Sequence, residues 1–142
     1  MSDAWWTFRN FVERTEDLPI SLLVRNACAR GMDDDVAGAY DAPFPAKESK
    51  AGARAFPLIL PTSPEMPGGA EGKQALEKLR GDGRPALVLW ADSDPVLPFK
   101  VGEAFASLIG AHPPKKIESA SHFLQEDAGH EIGALIADWL DR

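Results

Sequence analysis

The sequence is poor in the residues that build metal and disulfide sites. A single cysteine, Cys28, excludes an intrachain disulfide framework and a thiolate zinc site. None of the three histidines pairs with another at metal-ligand spacing, so no metal site is expected. Positive charge is also short. Fifteen Lys and Arg face 22 Asp and Glu, for a net charge of -7, which argues against a nucleic-acid or anionic-membrane partner. No apolar run approaches the roughly 20 residues that cross a bilayer. Met1-Ser2-Asp3-Ala4-Trp5-Trp6 has no basic stretch followed by an apolar one, so no signal peptide is read there. A soluble, cytoplasmic protein is the expectation.

What is present is a foldable chain of one domain's size, 142 residues with 44% hydrophobic. Its composition changes at Pro57–Gly69. Ahead of that stretch, helical segments alternate with polar turns. Trp5, Phe8, Phe11 and Val12 predict a helix over Trp5–Arg14. A second is predicted from Pro19 to Arg30, with Asp17 as N-cap and Gly31 as stop, and Cys28 within it as an inert core residue. Asp33 caps a short helix through Tyr40, prolines break Asp41–Pro45, and a further helix covers Lys47–Phe56. Pro57, Pro61, Pro64 and Pro67 predict a stiff, extended connection to a helix over Ala70–Arg80 with Leu76 and Leu79 inward. The tail then reads strand (Ala86–Trp90), helix (Lys100–Ile109), strand (Lys115–Glu118) and closing helix (Ala128–Leu140). Ala86-Leu87-Val88-Leu89-Trp90 is apolar throughout, as a parallel strand covered on both faces would be. The pattern predicts an α/β fold, with residues 1–80 helical and lying over the end of a doubly wound sheet in 81–142. Ligands bind such sheets at the carboxyl ends of the strands.

Asp94 and His122 both fall there. A histidine acting as general base needs a fixed ring, and a carboxylate on its far nitrogen provides it. The plainer alternative is that Asp94 turns the chain at Asp94-Pro95 and His122 is a satisfied core histidine; two strand-end positions together favour the catalytic reading. Asp92 competes for the acid role or else holds its loop through backbone amides. His112 and His130 read as solvent-facing. No G-x-S-x-G elbow is present. Ser93 has no elbow geometry, and Asp138 lies inside the terminal helix, after the histidine. Trp5, Trp6, Phe8, Phe11, Phe44 and Phe56 read first as core, although a cap must also present an apolar face to substrate.

Tyr40-Asp41-Ala42-Pro43-Phe44-Pro45, Lys50-Ala51-Gly52-Ala53-Arg54-Ala55-Phe56-Pro57, Asp92-Ser93-Asp94-Pro95 and Ser121-His122-Phe123-Leu124-Gln125-Glu126-Asp127 follow one another as in haloalkane dehalogenases. The chain resembles the C-terminal half of that family from about Ala4 to Leu140. The resemblance implies an α/β-hydrolase core of which two strands remain, under a helical cap. It implies that an Asp nucleophile displaces halide from a primary carbon, and that the histidine, oriented by the acid, activates water to hydrolyse the alkyl ester. No cofactor or metal is used. Asp94 is then the triad acid and His122 the base, with Phe56 and Pro57 on the cavity wall. The nucleophile elbow is expected upstream of Met1. Phe8 stands where the family's halide-holding Trp is expected, so Trp5 or Trp6 would have to supply the indole N–H. Epoxide or ester hydrolysis, and a non-catalytic interaction remnant, are the alternatives. The expected partners are a small apolar substrate once an N-terminal half completes the site, and a complementary half or a second copy covering the exposed sheet.

Overall fold

A computed structural model describes residues 1–141. Helix α1 spans Asp3–Arg14, two residues earlier than the aromatic spacing predicts, because Ser2 caps it: the Ser2 hydroxyl accepts the Trp5 N–H at 3.2 Å. Helix α2 spans only Ile20–Asn26. Pro19, not Asp17, precedes it without a side-chain cap, and Asp41 from a later helix accepts the Ser21 N–H at 3.0 Å instead. At its other end the chain leaves the helix well ahead of Gly31, where the Ala29 and Arg30 amides turn to the Asp127 carboxylate. Cys28 therefore lies past the helix, half-buried, its thiol donating to the Val24 carbonyl at 3.3 Å.

Helix α3 spans Asp34–Asp41, and a 3-10 turn at Lys47–Lys50 leads into α4, Ala51–Ile59. Pro57 sits inside α4 and is buried, where the sequence reading began a linker. Proline there forfeits only one backbone bond, near the helix end, and its apolar ring is taken out of water. Residues 60–68 then turn rather than extend, with Met66 N–H on the Ser63 carbonyl and Gly69 N–H on the Met66 carbonyl. Gly68 takes a φ of 83° at the entry to α5, Gly69–Arg80. Leu76 and Leu79, predicted to face inward, are exposed, because nothing described packs over them.

Strands β1 (Leu89–Ala91) and β2 (Lys115–Ile117) pair in parallel, Leu89 opposite Lys115 and Ala91 opposite Ile117. Helix α6, Phe99–Leu108, crosses between them. The ladder starts three residues later than the apolar run, since β2 is too short to pair with Ala86–Val88 beyond one bond from Lys115 N–H to the Val88 carbonyl. Helix α7, Leu124–Leu140, begins four residues earlier than predicted and is kinked at Ala128.

Two apolar clusters result. Ala91, Ile117, Ala120 and Ala128 gather under Leu89, Leu124, Ile132 and Leu135, while Val12, Leu18 and Ile20 gather with Leu23, Phe44 and Ala53. Gly102 brings α6 against the strand so closely that a Cβ would lie 2.5–2.9 Å from the Trp90 ring. That ring cannot swing freely, because its N–H donates to the Leu97 carbonyl at 2.8 Å. In an open helix, Gly→Ala gains about 1 kcal/mol; here overpacking costs about 1–3 kcal/mol and wins. Gly102→Ala is therefore expected to lower stability in urea unfolding, and a raised midpoint would show that the ring moves aside.

Candidate active site

Past β1 the strand path continues through Asp92 N–H to the Ile117 carbonyl and Ser93 N–H to the Ala120 carbonyl, which delivers Asp94 beside the loop after β2. Asp94 is buried. Its Oδ1 accepts the Val96 and Leu97 amides at 2.7 and 3.0 Å, so the Asp-Pro turn itself orients the carboxylate. Its Oδ2 lies 2.9 Å from His122 Nδ1. With the Nδ1 proton given to Asp94, a neutral ring leaves Nε2 as the acceptor. No described residue hydrogen-bonds Nε2. The site thus holds one oriented imidazole beside one buried carboxylate.

Asp92 does the structural work the sequence left open. It accepts the Ser93 hydroxyl at 2.8 Å and the Ala120 N–H at 3.2 Å. The Ser93 hydroxyl first, then the Ser119 and Ala120 backbone, hold its carboxyl below the usual range. The Phe123 ring stands edge-on to His122 at 5.6 Å, and Tyr40 stands edge-on to Phe123 at 6.5 Å. The Tyr40 hydroxyl donates to Glu126 at 2.6 Å.

The other predicted site residues are spread over α1 and α4, which pack on each other. Trp5 is buried with Trp6 edge-on at 4.7 Å, whereas Trp6 and Phe8 are exposed. Pro57 is buried; Phe56 is 71% exposed. The start of α1 reaches the Asp94 loop through the Ser2 hydroxyl, which donates to the Val96 carbonyl at 2.8 Å. Clefts of about 300 and 270 Å³ lie elsewhere, one around Glu16, Lys47 and Arg54, the other around Arg30, Met32 and Glu126. His112 and His130 are exposed. Among the described residues, no group of three or more His, Cys, Asp or Glu could hold a metal ion, and no helix is long and apolar enough to cross a membrane.

Sequence reasoning missed Asp127 and Arg30. Asp127 is buried, with Oδ2 accepting Ala29 N–H at 2.9 Å and Ser121 N–H at 2.8 Å, and Oδ1 accepting Arg30 N–H at 2.7 Å. Burial pushes its carboxyl up, but the three amides and the Arg30 charge outweigh it and leave it below the usual range. The Arg30 guanidinium donates to the Glu118 and Ser119 carbonyls at 2.8 and 3.2 Å. In the sequence an acid in the first turn of a helix looks like an ordinary dipole partner, and nothing local reveals amides some 97 residues away.

Parallel strands joined by a crossover helix, with an acid after one and a histidine after the next, define the C-terminal end of an α/β-hydrolase. No family model matches the chain. It is 37% identical over 141 residues to the haloalkane dehalogenase of Mycolicibacterium paratuberculosis, covering 96% of this chain and 46% of that protein. It is 36% identical over 137 residues to haloalkane dehalogenase 1 of Mycobacterium bovis, covering 95% and 45%. The tetrameric haloalkane dehalogenase DpaA from Paraglaciecola agarilytica NO2 superposes with a TM-score of 0.86 at 30% identity, over 95% of this chain and 46% of that one. The chain is a homologue of the haloalkane dehalogenases and corresponds to their C-terminal half. It spans about half the length of the curated relatives it matches.

Tyr40, the single tyrosine, reports on the contact between α3 and the start of α7. The Glu126 hydrogen bond, then burial and the Glu126 charge, push its hydroxyl up to about 12, from about 10 for a free tyrosine. A raised phenol means that the contact favours folding fully below pH ~10 and is lost as pH rises through about 12. Glu126→Gln is expected to move the phenolate absorbance titration back toward 10. An unmoved titration would show that the bond is absent in solution.

Proposed function

We propose that this chain carries the acid and base, Asp94 and His122, with which a haloalkane dehalogenase-like hydrolase cleaves an alkyl-enzyme ester formed from a small halogenated alkane. The observation that carries the reading is the 2.9 Å contact between Asp94 Oδ2 and His122 Nδ1 at the ends of adjacent parallel strands. In the proposed step His122 Nε2 takes a proton from water as the water oxygen attacks the ester carbonyl. Asp94 stabilises the imidazolium that forms. The ester C–O bond to the carbonyl carbon then breaks, the alcohol leaves with the proton that His122 took, and the carboxylic acid so formed gives the second water proton to solvent, restoring the enzyme carboxylate.

The nucleophile, in this reading, comes from a complementary N-terminal half. Its seat would be the apolar surface left open on this chain, with Leu76 and Leu79 on α5 and Val101 on α6 exposed, together with the strand edge that β1 does not share with β2. The matched relatives are about twice as long as the chain, which is the length such a half requires. A second reading, ester or epoxide hydrolysis by the same pair, is favoured by Phe8, whose ring has no N–H to offer a halide where the resemblance expects an indole.

The test mixes this chain with the N-terminal half of the Mycolicibacterium paratuberculosis relative and follows halide release from a short primary haloalkane. Release is expected only from the assembled mixture, and His122→Ala should cut turnover by about 10²–10⁴. Release that survives His122→Ala, or none from a mixture shown to be assembled, would overturn the dehalogenase reading. Ester turnover without halide release would select the second.

A further inference from the structure

The residues on both sides of His122 are tied to one turn of the helical region. On one side Ser121 gives its N–H to Asp127 Oδ2, the same oxygen that takes the Ala29 N–H. On the other, Phe123 gives its N–H to the Ala27 carbonyl at 3.2 Å. Arg30 closes the joint from outside by gripping the carbonyls of Glu118 and Ser119. Ser119 is held at a φ of 54°, the one non-glycine among the described residues with positive φ. Such a conformation is strained for a residue with a side chain and persists only where the surroundings over-determine it.

Asp127 does not serve its own helix. Phe123 precedes α7 without a side-chain cap, and all three amides that Asp127 accepts lie outside the helix. Nor does Asp127 touch the Asp94–His122 contact. A buried carboxylate left short of donors is costly, so the joint is made whole or not at all.

We propose that Asp127 and Arg30 are a positioning pair: they weld the Ala27–Arg30 turn to the Glu118–Phe123 loop and thereby hold the His122 ring against Asp94. Docking of the helical region and orientation of the base are then one event. The inference rests on the reading of Asp94 and His122 as acid and base, and the test separates the two.

The His122 Nδ1 proton, bonded to Asp94, is expected as a slowly exchanging downfield signal in proton NMR of the whole chain. If the signal is absent, or survives Asp94→Ala, the acid–base reading itself falls. Given that control, Asp127→Asn keeps the side-chain shape but cannot accept all three amides. It is expected to speed exchange of the ring proton about tenfold or more, together with the amides of residues 27–30 and 118–123. Core amides such as Val12 and Ile117 should not change. Exchange as slow as in the unmutated chain overturns the positioning role while the acid–base reading stands. Uniform acceleration, Val12 included, overturns it too, since that reports general loosening. Should Asp127→Asn fail to fold, Arg30→Gln withdraws the guanidinium and leaves the backbone bonds to Asp127; an unchanged ring-proton rate there overturns the proposal equally.

Discussion

A buried carboxylate needs several hydrogen-bond donors to stay charged at modest cost, and Asp127 finds three in backbone amides from two distant parts of the chain. Much of the architecture follows from that demand. Helix α2 stops at Asn26 so that Ala29 and Arg30 can present their N–H groups. The loop after β2 turns sharply enough to put Ser119 in the left-handed region and Ser121 on the same oxygen as Ala29. The kink of α7 falls at Ala128, immediately after this carboxylate.

The Asp94–His122 contact is built on a different principle. The Asp94 carboxylate is oriented locally, by the amides two and three residues ahead in its own turn, whereas His122 sits on a loop tied to distant parts of the chain. One partner is therefore rigid by chain geometry and the other by tertiary contact. Asp92 links the two loops, reaching the Ala120 amide across 28 residues of sequence.

The two apolar clusters are small, and each belongs to one part of the chain. Between them run hydrogen bonds from Ser2 to Val96, from Tyr40 to Glu126 and through the Asp127 joint, with Tyr40 edge-on to Phe123. Exposed Leu76, Leu79, Val101 and Leu140 and two strands with a single partner each leave apolar area and backbone groups open. Such surfaces favour association, which fits a chain spanning 46% of the length of its relatives.

Local pattern made much of this legible. Helical periodicity placed α1, α6 and α7 to within a few residues, and the apolar run located β1, because those signals arise from side chains close in sequence. Asp94 and His122 were legible for the same reason: each follows a recognisable strand. Pairing set the actual limits, for a strand extends only as far as its partner, so β1 starts at Leu89 and not at Ala86. Pro57 inside a helix, solvent on Leu76 and Leu79, and the early end of α2 were decided by what packs, or fails to pack, against those residues. The sequence by itself determined which groups lie at the carboxyl ends of two adjacent strands, since chain order and strand direction suffice for that. Only the tertiary structure decided that Asp94 Oδ2 and His122 Nδ1 meet at 2.9 Å and that Asp127 reaches the Ala29 amide, since hydrogen bonds across 28 and 98 residues leave no trace in local pattern.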